Sequence, residues 1–143
     1  MKEVVKYPHC FVCGDLNVHG LKAKFFYDGE KAYTELTADQ SFEGYRGIYH
    51  GGIIATLLDE VMIKAVLAQP VVAVTVELTV RYLAPVNIGD RLMFTGRITG
   101  SKGRLYLTEG EVRGNDNTLR ATALGKYIEA SSDLKKTLES SIE

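Results

Sequence analysis

Residues 50–68 read His50-Gly51-Gly52-Ile53-Ile54-Ala55-Thr56-Leu57-Leu58-Asp59-Glu60-Val61-Met62-Ile63-Lys64-Ala65-Val66-Leu67-Ala68. The two glycines open the run, where a helix has backbone N–H groups without intrahelical partners. Pro70 stands just past its end, as helix stop signals require. Between these marks the apolar residues Ile53, Ile54, Leu57, Leu58, Val61, Met62, Ile63, Val66 and Leu67 cover almost the whole circumference. A surface helix carries one apolar stripe. A helix apolar on nearly every side must be covered on most of them, so the rest of the chain is expected to wrap around it.

The flanking sequence supplies that cover. Leu21 to Tyr27 is rich in aromatics and reads as a strand, Asp28-Gly29 as a hairpin turn, and Lys31 to Thr37 as its partner. A polar, glycine-bearing loop, Ala38 to Gly47, leads into the helix. After it, Val72 to Leu83 alternates: Val74, Val76, Leu78, Val80 and Tyr82 against Thr75, Glu77, Thr79 and Arg81. Arg91 to Thr99, Arg104 to Arg113 and Thr118 to Glu129 follow as strands separated by glycine-bearing turns. Ser131 to Glu143 spaces Leu134, Leu138 and Ile142 by four and predicts a terminal helix. The first 20 residues read as an irregular leader. The expectation is a single α+β domain over 1–143, an antiparallel sheet around one long central helix.

Bulk properties set the limits. A chain of 143 residues, 45% hydrophobic, suffices for one domain with a real core. The net charge of -1, with basic residues scattered among acidic ones, argues against a nucleic-acid partner. No apolar run reaches the ~20 residues of a membrane span, and the N-terminus MKEVVKYPHC has no signal-peptide core. These features predict a cytoplasmic protein without a membrane partner.

The stretch from Phe42-Glu43-Gly44-Tyr45-Arg46-Gly47-Ile48-Tyr49-His50-Gly51-Gly52 to Asp59-Glu60 closely resembles the signature of hotdog-fold thioesterases, in the branch of 4-hydroxybenzoyl-CoA and phenylacetate-pathway enzymes. The resemblance also covers Cys10-Phe11-Val12-Cys13-Gly14 with Asn17 and Gly20-Leu21, and the strand end Tyr82-Leu83-Ala84-Pro85. It implies an acyl-CoA thioesterase that needs no cofactor, coenzyme A being part of the substrate, and that works as a homodimer or homotetramer with active sites shared between subunits. It implies an oxyanion hole at Gly51 and Gly52, a catalytic carboxylate at Asp59, and a hydroxyl at Thr75 that holds water near the carboxylate. Some relatives carry Asn or Gln six residues before the His; this chain has Gly44 there.

The chemistry fits these residue types. Thioester hydrolysis builds negative charge on the carbonyl oxygen. Glycine N–H groups at a helix start approach that oxygen with no Cβ in the way, and the helix dipole favours the anion. One such donor is typically worth about 3–4 kcal/mol of barrier. A carboxylate acts as general base on water or as nucleophile, two routes the sequence leaves open. Glu60, about 100° further round the helix, is read as a salt-bridge partner of Lys64 four residues on. His50, a candidate catalytic residue by position, is expected to cap the helix or orient the loop more than to act as base. Phe42, Tyr45 and Tyr49 are candidates to line the acyl pocket. Arg81 and Arg104, with Lys102, are candidates for the coenzyme A phosphates. His9, Cys10, Cys13 and His19 offer nominal zinc ligands, but adjacent His9 and Cys10 rarely reach one tetrahedral ion, and no thioredoxin-like βαβ pattern surrounds the CxxC. A packed loop without a metal is the expectation. A hotdog hydratase or dehydratase, or a non-catalytic acyl-CoA sensing module, are the competing functions.

Overall fold

The computed structural model describes residues 2–142. Its strands are β1 (Lys2–Glu3), β2 (Phe26–Tyr27), β3 (Ala32–Thr37), β4 (Ala73–Tyr82), β5 (Arg91–Lys102), β6 (Leu105–Gly114) and β7 (Leu119–Glu129). The helices are α1 (Gly51–Leu67), between β3 and β4, and α2 (Ser132–Ser140) at the C-terminus. All seven strands join one antiparallel sheet in the order β1-β2-β3-β5-β6-β7-β4. The sheet curls around α1, which touches β3, β4, β5, β6 and β7. This is the hotdog arrangement expected of the pattern.

The core is where the helix meets the sheet. Leu57, Leu58, Val61, Met62, Ala65 and Val66 are fully buried, as are Phe25, Leu92, Phe94, Val112 and Tyr127. A pair of facing glycines sets how closely the two layers approach. Gly96 of β5 lies directly opposite Gly110 of β6. A Cβ on Gly96 would stand 2.8 Å from the Val61 carbonyl oxygen and 3.0 Å from the Met62 Cα. One on Gly110 would stand 3.0 Å from the Met62 Cγ. The middle of α1 therefore rests on bare sheet backbone.

Three expectations need correction. The strand read over Leu21 to Tyr27 shrinks to Phe26–Tyr27. Lys22 adopts a positive φ of 51°, and the N–H groups of Leu21 and Ala23 bond to the carbonyls of Phe11 and Val12 in the leader. The backbone there is already satisfied by the leader loop, so it does not pair with β3. Second, the leader is not wholly irregular: Lys2–Glu3 pairs with Phe26–Tyr27 and extends the sheet edge. Third, β4 is not a clean alternation. A bulge between Thr75 and Glu77 inserts Val76, which is 56% exposed. Thr75 lies opposite Tyr127 and Leu78 opposite Gly125, so Thr75 shares the helix-facing side with Leu78. Strict period two would have placed Thr75 outside with Glu77; one extra residue reverses the parity. The terminal helix forms, capped by the Ser131 hydroxyl accepting from Leu134 N–H. Glu143, the end expected for it, and Met1 of the leader lie outside the described residues.

The packing of α1 on glycine backbone generates a stability test. Gly96→Ala should cost about 2–3 kcal/mol in denaturant unfolding, because the obstacle is helix backbone that cannot swing aside. Gly100→Ala on the same strand, whose nearest neighbour would be the Leu107 Cδ1 at 4.0 Å, should stay within about 0.5 kcal/mol of the parent. Equal effects would contradict the close approach.

Candidate active site

The N-terminus of α1 is held open by its own cap. His50 keeps an extended backbone, and its Nδ1 accepts from Gly52 N–H at 2.8 Å. The His50 carbonyl takes the N–H groups of Ile53 and Ile54. Gly51 N–H has no acceptor among the described residues. Of the two glycine donors foreseen here, Gly52 is thus occupied by the imidazole and Gly51 is free. His50 performs the capping foreseen for it. Gly44 explains how the loop fits: a Cβ there would stand 3.3 Å from the His50 Cα and Cδ2.

Tyr82, which sequence reasoning assigned only to a strand face, closes this end. Its hydroxyl donates to the Gly51 carbonyl at 2.6 Å, tying the end of β4 to the start of α1. A cleft of about 670 Å³ opens beside it, lined by Tyr45, Tyr49, His50, Gly51, Gly52 and Tyr82 among others. Tyr45 is 87% exposed. Tyr49 is only 2% exposed, and burial pushes its hydroxyl up to about 12; it shapes the cleft from the core side. Phe42 packs edge-on against Phe11, with ring centroids 6.5 Å apart, and pins the loop from beneath.

Two turns along α1, Asp59 is half-buried and fixed from the sheet. Its Oδ1 accepts from the Tyr127 hydroxyl at 2.8 Å and from the Thr75 hydroxyl at 3.1 Å. Tyr127 also donates to the Asp59 carbonyl at 3.0 Å. The bulge in β4 is what turns Thr75 toward the helix. Burial, and then the neighbouring Asp59 charge, push the Tyr127 phenol far above its ordinary value, so it stays a neutral donor at any physiological pH. The second carboxylate oxygen carries only a longer contact to Thr75, 3.4 Å.

Tyr127 is the site residue that sequence reasoning missed. It left a signal nonetheless. Gly125, two residues before it on the same face of β7, is buried, and a Cβ there would stand 2.7 Å from the Tyr127 ring. A glycine two residues ahead of an aromatic in a buried strand leaves a slot into which the ring can lie.

The basic candidates do not meet within one chain. Arg81 and Arg104 are both exposed. Arg81 pairs with Thr122 beside Tyr82, at the Gly51 end of the helix. The Arg104 carbonyl accepts from Glu129 N–H at the opposite end of β7. Lys102, also exposed, pairs with Leu105 in the adjoining hairpin. Glu60 lies 3.6 Å from the ammonium of Lys64, the foreseen pair. Burial raises its carboxyl to about 7.

Among the described residues, no helix is long and apolar enough to cross a membrane.

The family model described as the thioesterase superfamily matches residues 46–121, from the loop before the helix cap to β7. The chain belongs to the thioesterase superfamily. It is 33% identical over 109 residues to an uncharacterised protein of Schizosaccharomyces pombe, covering 72% of this chain and 61% of that one. It is 28% identical over 100 residues to mouse acyl-coenzyme A thioesterase 13, covering 68% and 71%. A crystal structure of a thioesterase superfamily protein superposes with a TM-score of 0.79 at 25% identity, covering 85% of this chain and 60% of that one. The chain thus spans about three fifths of the yeast protein and of that solved chain.

The Asp59 anchor can be tested without any substrate. Tyr127→Phe deletes the donor to two acceptors of one residue and should destabilise the protein by about 1–2 kcal/mol in denaturant unfolding. Thr75→Ala, at an exposed edge, should cost less than half of that. The reverse order would mean that Tyr127 does not hold the carboxylate.

Proposed function

We propose that the protein hydrolyses an acyl-coenzyme A thioester to the free acid and coenzyme A, with each active site formed between two subunits. The observation that carries the reading is the anchored Asp59. It is a half-open carboxylate in an apolar helix, oriented by Thr75 and Tyr127, on the same helix whose first N–H, at Gly51, is free. The relationship to an acyl-coenzyme A thioesterase supports the substrate class.

Gly51 N–H is placed to receive the thioester carbonyl oxygen, and the helix dipole adds to its pull as that oxygen becomes an anion. Asp59 either takes a proton from a water that attacks the carbonyl carbon, or attacks it directly and is released by water afterwards. In both routes the carbon–sulfur bond breaks, and the coenzyme A thiolate leaves and picks up a proton. Tyr127 and Thr75 keep Asp59 in one orientation throughout; neither gives up its own proton.

The helix itself argues for two subunits. Gly51 and Asp59 are eight residues apart, about 12 Å along the axis at ~1.5 Å per residue. One small thioester group cannot touch both. A two-fold partner with an antiparallel α1 would bring the Asp59 of one chain to the Gly51 of the other. The face needed is available. β4 is an edge strand of the sheet, Val76, Tyr82 and Leu83 beside it are at least half exposed, and Gly52, Thr56, Asp59 and Ile63 form a partly open stripe along α1. The same pairing would carry the Arg104 end of one chain toward the Arg81 end of the other, where coenzyme A phosphates could meet both.

A panel of short, medium and aromatic acyl-CoAs, followed by free thiol release, tests the activity. Asp59→Asn should lower kcat by about 10²–10⁴-fold with KM little changed. Thr75→Ala, which removes one hydrogen bond, should lower it about tenfold. Asp59→Asn with near parental kcat would remove the carboxylate from the mechanism. Binding of acyl-CoA with no thiol released by the parent would identify a sensing module instead.

A further inference from the structure

Thioester hydrolysis makes no use of the leader, yet the leader builds a polar cluster against α1. Residues 7–14 close into a tight loop, with Cys10 N–H bonded to the Tyr7 carbonyl and Gly14 N–H to the Cys10 carbonyl. A Cβ on Gly14 would stand 2.4 Å from the Pro8 carbonyl oxygen and 2.6 Å from the Cys10 nitrogen, so the loop closes only around glycine. Inside it, the N–H groups of Val12 and Cys13 point at the Cys10 Sγ from 3.3 and 3.5 Å. Docking on α1 brings the Cys10 Sγ to 4.0 Å from the Glu60 carboxylate. The two sulfurs and a Glu60 oxygen lie within 4.8 Å of one another.

The fourth member is Lys64, which is 0% exposed. Its ammonium donates to the Val5 carbonyl and to the Cys13 Sγ, the latter at 3.4 Å, and lies 3.6 Å from Glu60. The rings of Tyr7 and Phe25 face it at 5.5 and 5.8 Å. Two thiols and a carboxylate suit a divalent metal, but here the cation's place is taken. An ion bound to both sulfurs would sit beside a buried ammonium with little water to screen the repulsion. Two backbone N–H groups aimed at the Cys10 sulfur, with the ammonium's charge close by, favour a thiolate at Cys10. The hydrogen bond from Cys13, the two N–H groups and Lys64 all pull the Cys10 thiol down against its burial. The shared hydrogen bond and burial push Cys13 up.

The two cysteines also differ in access. Cys13 is 0% exposed. Cys10 is half-buried and lines a cleft of about 560 Å³ with Tyr7, His9, Glu60, Ile63 and Leu138. One sulfur opens to the cleft among donors that favour its thiolate, and the other is buried beside it.

We propose that Cys10 and Cys13 form a redox-active dithiol that exchanges with a low-molecular-weight disulfide of the glutathione type entering this cleft, with Cys10 as nucleophile and Cys13 as resolving thiol. In the first step the Cys10 thiolate attacks one sulfur of the disulfide; that bond breaks, and the released thiolate takes a proton from solvent. In the second, Cys13 loses its proton to Glu60 and attacks the Cys10 sulfur; the bond from Cys10 to the small molecule breaks, and its sulfur leaves as a thiolate that takes that proton back from Glu60. The protein gives up two electrons and becomes an internal disulfide, while the small disulfide is reduced to two thiols. Glu60, whose carboxyl burial raises to about 7, is suited to take up that proton and give it back. Oxidation removes the Cys10 thiolate from the cluster and leaves Glu60, the neighbour of Asp59, as the carboxylate that faces Lys64.

The test incubates the full chain with glutathione disulfide at neutral pH, quenches with acid, and reads intact mass and free thiols. The parent should lose both of its thiols and the mass of two hydrogens, without keeping glutathione. Cys13→Ser should stop at one glutathione adduct on Cys10, formed faster than on N-acetylcysteine at the same pH. Cys10→Ser should not react while folded. Lys64→Met combined with Cys13→Ser, checked for folding by circular dichroism, should slow adduct formation about tenfold as the thiolate fraction falls. Adduct formation on Cys13→Ser no faster than on N-acetylcysteine would overturn the proposal. So would a parent that stays at the mixed disulfide. Equally decisive against it would be one zinc per chain that survives chelation and is lost with Cys10→Ser.

Discussion

A helix of seventeen residues that is apolar on nearly every side cannot meet water on most of them without heavy cost, and the structure is organised around that fact. Five strands and the N-terminal leader supply its cover. The approach is close enough that two facing glycines, Gly96 and Gly110, carry the helix on bare backbone. The rigidity this gives α1 is what makes its polar exceptions meaningful. Asp59, Glu60 and Lys64 are each held by specific partners, not by solvent. Each therefore has a defined position relative to the helix start.

Much of this was legible in the chain. The helix from Gly51 to Leu67 announced itself by composition and by its glycine and proline punctuation, and the later strands by turn signals. Asp59 stood out because a carboxylate in such a helix needs a reason. The parts that were not legible share a cause: each depends on a contact made across the sheet. Thr75 reaches Asp59 only because Val76 is extruded as a bulge, and a period-two reading has no way to place an extra residue. Tyr127 is 68 residues from Asp59 in sequence, and only the slot over Gly125 hinted at where its ring would lie. Leu21 and Ala23 fall in a segment that reads as a strand, yet their N–H groups go to the leader. The spacing predicts Lys64 as the salt-bridge partner of Glu60, which it is, but its burial against Tyr7, Phe25 and Cys13 depends on the docked leader.

The proposal of a site shared between two chains rests on two polar groups of α1, one at its first residue and one at its middle. The free N–H of Gly51 and the oriented carboxylate of Asp59 have the properties of an oxyanion donor and a base. A straight helix holds them about 12 Å apart. No side-chain motion closes that distance, because Asp59 is tied to β7 by Tyr127 and Gly51 is tied to β4 by Tyr82. The edge position of β4 and the partly open stripe of α1 lie on the side where a second copy would complete the constellation.

Subunit complementation tests this account most directly. Asp59→Asn keeps a good Gly51; Gly51→Val, whose side chain would fill the space before the N–H against Tyr82, keeps a good Asp59. Each alone should be inactive toward acyl-CoA. After equal amounts are mixed and exchange is verified with differently tagged chains, random pairing puts half of the chains in mixed dimers with one good site of two. Thiol release should therefore return to about a quarter of the parental value. With both variants folded and exchange complete, no recovery of activity would contradict a site shared between subunits.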